Sequence, residues 1–216
     1  MREAGPTLLE RLSADGYRVE ERWYTRDVLG FVRRELSRPR WPLKAAFAFM
    51  GAVVAYSLYR GVADVGAGAA WARAVLLPFG VGAFGVLLLV TPHELLHGLA
   101  FKALGARRVV FGAEWRQLVF HASAPGFALR PRQMDVVALT PFAVLTPVLS
   151  AVIAYGSPWW QWVGLGALLM HTQGCLGDFA MVNYFVRLGP AARGLLTFDE
   201  EGGGSFVFVR RAGSEN

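Results

Sequence analysis

The pentapeptide His93-Glu94-Leu95-Leu96-His97 holds the residues of this chain with the clearest capacity for chemistry. Residues four apart on an α-helix share a face, so His93 and His97 can direct two imidazole nitrogens at one metal ion. Glu94 lies about 100° round the helix, where it could take a proton from an activated water and later pass it to a leaving amine. The motif predicts a Zn²⁺ site with His93 and His97 as ligands and Glu94 as catalytic base. The alternative is that both histidines only satisfy hydrogen bonds at a helix end.

The composition favours a membrane protein over a soluble domain. Of the 216 residues, 54% are hydrophobic, and the mean hydropathy is +0.37. About 20 apolar residues cross a bilayer core of roughly 30 Å, and four stretches have that length. We expect an α-helical integral membrane protein with about four transmembrane helices, near residues 43–62, 74–101, 136–155 and 159–188.

The lysine and arginine residues predict the orientation of these spans. Ten of the 22 lie in residues 1–44, six in 102–135 and four in 187–216. Because cytoplasmic flanks retain positive charge, we expect both termini in the cytoplasm, in the plasma membrane of a prokaryote. The basic residues flank the spans and accompany no nucleic-acid motif, so nucleic acid is not an expected partner. The expected partners are the lipid bilayer and a protein or peptide substrate.

Three segments follow from this pattern. Residues 1–42 read as a cytoplasmic amphipathic segment, 43–188 as the membrane core and 189–216 as a cytoplasmic tail. Within the core, residues 106–123 are rich in Val and Phe and predict a β-hairpin or ribbon between the second and third spans. Such a ribbon could hold a substrate as an added strand, or could merely fill space between helices. The tail predicts two short strands, near 195–198 and 205–210.

A catalytic zinc site usually has three protein ligands, so the motif needs a third. His93 and Asp178 each lie about 19 residues beyond the start of an inward-running span, which gives both a depth of roughly 28 Å. Asp178 is the one acidic residue besides Glu94 inside a predicted span, and a metal would compensate its charge. Asp178 is therefore the expected third ligand.

Other assignments of the third ligand stay open. His171 would share a face with Asp178 on one continuous helix, about two turns or roughly 10 Å away, so both are not expected to touch one metal. His121 in the ribbon is a further choice. Asp178 could instead form a structural ion pair with Lys102 or Arg187.

Small residues and a proline accompany these candidates. Gly174 and Gly177 on the fourth span, and Gly98 on the second, would let helices approach closely. Pro92 removes a helical hydrogen bond and is expected to kink the second span, or to be an ordinary tolerated membrane proline. The lone Cys175 could bind a metal, but a single thiol is expected to be a small packing residue.

With HELLHGLAFKALGA on one span and GCLGDFAMVNYFVRL on another, the chain resembles the zincin peptidases of the DUF3267 family over roughly residues 74–188. More distantly it is similar to the site-2 proteases, which cleave membrane segments of other proteins. The resemblance implies His93 and His97 as zinc ligands, Glu94 as base and Asp178 as third ligand. Site-2 proteases usually carry this aspartate in an LDG-type motif, whereas Leu176-Gly177-Asp178-Phe179 stands here.

These observations together predict a zinc-dependent, membrane-embedded endopeptidase that hydrolyses peptide bonds in membrane or juxtamembrane segments. The rival hypothesis is a zinc-binding membrane protein without proteolytic activity, such as a sensor, an adaptor or a transport-related protein.

Overall fold

The computed structural model describes residues 7–24, 27–66, 70–114, 119–200 and 205–212. Most of the fold is helical, with two small sheets. The helices are α1 (Leu8–Ala14), α2 (Val28–Leu36), α3 (Trp41–Gly66), α4 (Leu77–Gly85), α5 (Val90–Ala103), α6 (Pro131–Tyr155), α7 (Pro158–Gly174) and α8 (Leu176–Leu188). The strands are β1 (Tyr17–Tyr24), β2 (Val110–Glu114), β3 (Val119–Ser123), β4 (Leu195–Asp199) and β5 (Ser205–Arg211).

Three helices of the described residues are long and apolar enough to cross a membrane: Trp41–Asp64, Ala72–Ala103 and Pro131–Tyr155. They correspond to the first three predicted spans. At most 22% of the apolar window of any of them is buried inside the protein. Most of their apolar surface is therefore available to lipid, since no other element of the described chain covers it.

The fourth predicted span, 159–188, is two helices and not one. α7 ends at Gly174, Cys175 caps it, and α8 begins at Leu176. Gly174 and Gly177 flank this break, and glycine is a poor helix former. A Cβ on either glycine would meet nothing within 4 Å, so their predicted role in close helix packing is wrong.

The second span is continuous but irregular. A π-helical turn (Ala72–Leu76) leads into α4, and a 3₁₀ stretch (Val86–Leu89) joins α4 to α5. Pro92 is the third residue of α5, within the first turn, where a missing backbone N–H costs little. The irregularity thus lies on the N-terminal side of the proline, immediately before the HExxH motif.

Close packing of the second span against α7 does occur, through other glycines. A Cβ on Gly82 of α4 would overlap the backbone of Val163 on α7, and a Cβ on Gly166 of α7 would overlap the backbone of Phe79 on α4. Only glycine permits this backbone-to-backbone approach, as at other helix contacts in lipid.

Two antiparallel sheets lie outside the spanning helices. β2 and β3 form the hairpin predicted over 106–123, although its turn, residues 115–118, lies outside the described residues. The second sheet has the order β1-β5-β4, so the N-terminal segment pairs directly with the tail. Leu129 adds a bridge to Thr197 of β4, and this bridge ties the sheet to the chain that follows the hairpin.

A buried polar cluster fixes α2 against α8. The Glu35 carboxylate is fully buried and accepts hydrogen bonds from Arg187 Nε (3.2 Å), Arg187 Nη2 (2.9 Å) and Asn183 Nδ2 (2.9 Å). Asn183 Oδ1 in turn accepts the backbone N–H of Arg40 (2.7 Å), at the start of α3. The N-terminal segment is thus anchored to the helix that carries Asp178.

Candidate metal centre

Two elements bring the predicted ligands together. The regular helix α5 presents His93 and His97 one turn apart on one face, with Glu94 next to them. The first turn of α8 presents Asp178 towards both histidines. The structure thus brings together side chains from two distant stretches of the sequence.

The three candidate ligands converge to contact distance. His93 Nε2 and His97 Nε2 are 3.1 Å apart. Asp178 Oδ2 lies 3.4 Å from His93 Nε2, and Asp178 Oδ1 lies 3.3 Å from His97 Nε2. In a tetrahedral site with metal–ligand bonds of about 2.0–2.1 Å, neighbouring ligand atoms are separated by about 3.3 Å. Each of the three separations, with one Asp178 oxygen facing each histidine, is close to that between neighbouring ligand atoms of a zinc site, and we call these three side chains the ligand triangle.

A hydrogen bond with the backbone of α6 determines which nitrogen of His97 faces the other two ligands. His97 Nδ1 lies 2.9 Å from the Val137 carbonyl oxygen of α6. A carbonyl can only accept, so Nδ1 carries the proton and Nε2 of the neutral ring presents a lone pair. A neutral His97 would then offer its Nε2 lone pair to a cation that also met His93 Nε2 and the Asp178 carboxylate. This chemistry fits Zn²⁺.

Glu94 is held beside the triangle by the hairpin. Its carboxylate accepts a hydrogen bond from the backbone N–H of Ala122 on β3 and has electrostatic interactions with His93, His97 and Asp178. Its Oε2 atom is buried without a hydrogen-bond partner among the described residues. A buried carboxylate oxygen seldom lacks a partner, so Oε2 is free to accept a proton or a water.

His171 lies close to the first histidine of the motif. Its ring centroid is 5.9 Å from that of His93, and ligand atoms of His93, His171 and Cys175 all lie within 4.8 Å of one another. The estimate of roughly 10 Å between His171 and Asp178 assumed one helix through both residues, and that helix ends at Gly174. Cys175 is fully buried and packs against Leu43 and Phe179, as expected for a packing residue.

His121 lines the same cavity from the hairpin. It stands opposite Gly112, and a Cβ on that glycine would lie 2.7 Å from the imidazole Cε1 atom. Its Nδ1 is buried without a partner among the described residues. Lys102 and Arg187 were the alternative ion-pair partners of Asp178. In the structure Arg187 forms an ion pair with Glu35, and the Lys102 ammonium donates a hydrogen bond to the Arg107 carbonyl (2.6 Å).

A cavity of about 730 Å³ opens onto these side chains. Its walls are mostly apolar and come from α2, β1, β3, the end of β4, β5, α5, α6 and the adjoining ends of α7 and α8. Its large apolar side chains include Trp23, Phe31, Phe120, Met170, Met181, Phe206 and Phe208. The sequence did not predict that the N-terminal segment and the tail form part of this wall. Nothing local in the sequence signals a pairing between β1 and β5, which are almost the whole chain apart.

Asp199, at the end of β4, is an acidic residue of the cavity wall that the sequence analysis did not single out. Its Oδ2 accepts the Ala124 backbone N–H at 3.0 Å. Burial raises the pKa of this carboxyl to about 6, because the hydrogen bond compensates only part of the lost hydration.

The helix-borne motif and the converging side chains lie in a helical fold with three helices long and apolar enough to cross a membrane. Residues 86–192, about half of the chain, match the model of the DUF3267 family, described as "Putative zincin peptidase". The match confirms the predicted resemblance to this family. No curated protein and no solved structure matches the chain.

Proposed function

We propose that the chain is a zinc-dependent, membrane-embedded endopeptidase that hydrolyses peptide bonds in membrane or juxtamembrane segments. The observation that carries the proposal is the convergence of His93, His97 and Asp178 at 3.1–3.4 Å, with Glu94 adjacent. Three protein ligands leave a fourth position open, as catalytic zinc sites require. The family described for residues 86–192 supports the same reaction class.

In this proposal three residues bind the metal and a fourth transfers the proton. His93, His97 and Asp178 would hold Zn²⁺, which when bound lowers the pKa of water and polarises the scissile carbonyl. Glu94 would accept a proton from the attacking water at Oε2 and return it to the amide nitrogen as the carbon–nitrogen bond breaks. One water is consumed, and the products are a carboxylate and an amine.

The cavity wall supports an apolar peptide as substrate. Aromatic, aliphatic and methionine side chains surround the polar cluster, so an extended apolar segment would be desolvated there at little cost. A helical substrate hides its carbonyls and would first have to unwind. β3 lines the cavity over Phe120 to Ser123, next to Glu94, and an unwound segment could lie alongside it.

The proposed topology extends the three spanning helices to four passes. α7 together with α8 would form the fourth pass, broken at Cys175, and both termini would be cytoplasmic, in a prokaryotic plasma membrane. A cysteine introduced at Ser157, between α6 and α7, should then react with an impermeant maleimide only from outside the cell. Labelling from the cytoplasmic side would contradict this orientation.

The test of the proposal separates metal binding from turnover. Glu94→Gln keeps the shape of the side chain but removes its basicity, so zinc should stay bound while cleavage falls by about 10²–10⁴-fold. The probe is a synthetic Leu/Ala transmembrane peptide with a central Asn-Pro helix break, reconstituted with purified protein in liposomes. Glu20→Gln, on an exposed strand residue, is the matched control and should cleave at the wild-type rate.

Two results would contradict the proposal. If elemental analysis finds no zinc in the wild-type protein, the proposed metal centre is contradicted. If Glu94→Gln cleaves at the wild-type rate, the proposed role of Glu94 as base is contradicted.

A zinc-binding protein without turnover is the second candidate, and one observation favours it. His171 and Cys175 lie within 4.8 Å of His93, so further donors stand beside the proposed ligands. If one of them completed the coordination, the site would be closed and structural. In that case wild type and Glu94→Gln would bind zinc equally, and neither would cleave the peptide.

A further inference from the structure

His171 is a buried imidazole without a strong hydrogen-bond partner. Its exposed fraction is 3%, and its ring lies nearly parallel to that of Phe142 (13°) at a centroid distance of 6.3 Å. The contacts of its two nitrogens among the described residues are with Cys175 Sγ, at 3.7 and 3.9 Å, and sulfur is a weak partner. Burial of an imidazole N–H without an oxygen or nitrogen partner is costly.

The imidazole of His171 lies beside the proposed metal ligands, on the wall of the cavity. The side chain lines the cavity, and its ring centroid lies 5.9 Å from that of His93, one corner of the ligand triangle. Glu94 approaches the same triangle from α5, while His171 approaches it from the C-terminal end of α7. A group that reacts at the open metal position would therefore have a base on one helix and a hydrogen-bond donor on another.

We infer that His171 is a further catalytic residue, which donates a hydrogen bond to the carbonyl oxygen of the scissile peptide as negative charge develops there. This inference rests on the proposed function. An imidazole carries at least one N–H in either protonation state, so the donor is always present. A prealigned donor of this kind stabilises the transition state more than the ground state, because the oxygen becomes an anion only during the reaction.

The ligand geometry argues against a role for His171 in holding the metal. His93, His97 and Asp178 already supply three side chains whose facing atoms are 3.1–3.4 Å apart. A fourth protein ligand would occupy the position that water and substrate need. The second-candidate function predicts that fourth ligand, so the two roles of His171 give opposite results for metal retention.

The experiment compares His171→Phe, His171→Leu and His171→Gln with Thr172→Val in liposomes, using the same helix-broken peptide. Thr172 is the neighbouring buried residue, and its hydroxyl donates to the Leu168 carbonyl of its own helix. We expect kcat to fall by about 10²–10³-fold in the Phe and Leu variants, with KM little changed, as for loss of one oxyanion donor. The amide N–H of the Gln variant should restore part of kcat, and Thr172→Val should match wild type.

Two readouts do not depend on turnover. Zinc per chain should equal the wild-type value in every His171 variant. Binding of a phosphinic analogue of the peptide, which has a tetrahedral anionic centre, should weaken in parallel with kcat in the Phe and Leu variants, because the analogue imitates the transition state. The Leu variant provides a smaller replacement if the Phe variant does not fold.

Several outcomes would overturn the assignment. If folded His171→Leu loses zinc, His171 is a metal ligand. If kcat is unchanged in that variant, His171 has no catalytic role. An equal loss of kcat in Thr172→Val would mean that the effect comes from helix packing. Absence of cleavage by wild-type protein contradicts the proposed function itself, whereas cleavage at equal rates by wild type and His171→Leu contradicts only this inference.

Discussion

Replacing Gly82 by alanine should damage both the helix packing and the metal centre. An added Cβ would lie 2.7 Å from the Val163 carbonyl carbon and 2.9 Å from the Val163 Cα atom, whereas ordinary contacts are 3.4–4 Å. These neighbours are backbone atoms, so no side-chain rotation relieves the clash. α4 and α7 would have to separate by about 1 Å, and overpacking of this kind costs about 1–3 kcal/mol.

The same displacement would propagate to the ligands. α4 continues through the 3₁₀ stretch into α5, which carries His93 and His97, and α7 precedes the helix that carries Asp178. Zinc sites tolerate deviations in bond length of only about 0.2 Å. We therefore expect Gly82→Ala to melt at a lower temperature than wild type and to bind zinc more weakly.

Gly80 provides the matched control on the same helix, because a Cβ there would meet nothing within 4 Å. Gly80→Ala should keep or slightly raise the melting temperature, since alanine is favoured over glycine inside a helix by about 1 kcal/mol. Thermal unfolding in detergent and elemental analysis of zinc measure both effects. Equal melting temperatures and equal zinc contents in the two variants would refute the packing argument.

Three further predictions concern other parts of the molecule. Glu35→Ala leaves Arg187 without its buried carboxylate partner and should cost about 3–5 kcal/mol in unfolding experiments; the exposed pair of Glu20 with Arg210 is the control, and its loss should cost at most about 1 kcal/mol. Asp199 binds its proton more tightly when folded, with a pKa of about 6, than when unfolded, with a pKa of about 4. The protonated carboxyl therefore contributes fully to stability below pH 4, and this contribution is lost as the pH rises from 4 to 6. In Asp199→Asn the melting temperature should depend less on pH across that range than in wild type. An equal pH dependence in both proteins would contradict the assignment. Bound zinc at a concentration of 1,000 Kd should add about 4 kcal/mol to the free energy of unfolding, so chelation should lower the melting temperature and return of zinc should restore it. An unchanged melting temperature in both steps would contradict the metal centre.

The parts of the site that the sequence predicts are those with a local signal. HExxH places two imidazoles on one helical face whatever surrounds the helix, because the spacing alone determines it. Asp178 required a second argument, since the cost of a carboxylate inside a span marked it and the matched depths paired it with His93. The Val137 carbonyl that orients His97 carries no signal in its side chain, so the sequence could not reveal it.

The cavity wall shows the limit of local patterns. β1 pairs with β5, and Trp23 and Phe208 meet in one aromatic cluster with Phe31 and Tyr184, although the N-terminal and C-terminal segments were predicted as separate units. Pairings over such separations depend on how the whole chain packs, and periodicity within a window of residues does not contain that information. The division of the chain into three segments remains a prediction, to which the structure adds a sheet shared by the first and the last.

The break at Cys175 links the fold to the proposed chemistry most directly. On one uninterrupted helix, His171 would lie about 10 Å from Asp178, too far for both to serve one reacting group. In the structure α7 ends at Gly174 and α8 starts at Leu176; Asp178 lies 3.4 Å from His93, and the His171 ring lies 5.9 Å from the His93 ring. The two glycines that flank the break thus matter because they weaken the helix, and not because they admit a neighbouring one. A hydrophobic stretch of spanning length conceals this feature, since composition measures how apolar a segment is and not where its helix is interrupted.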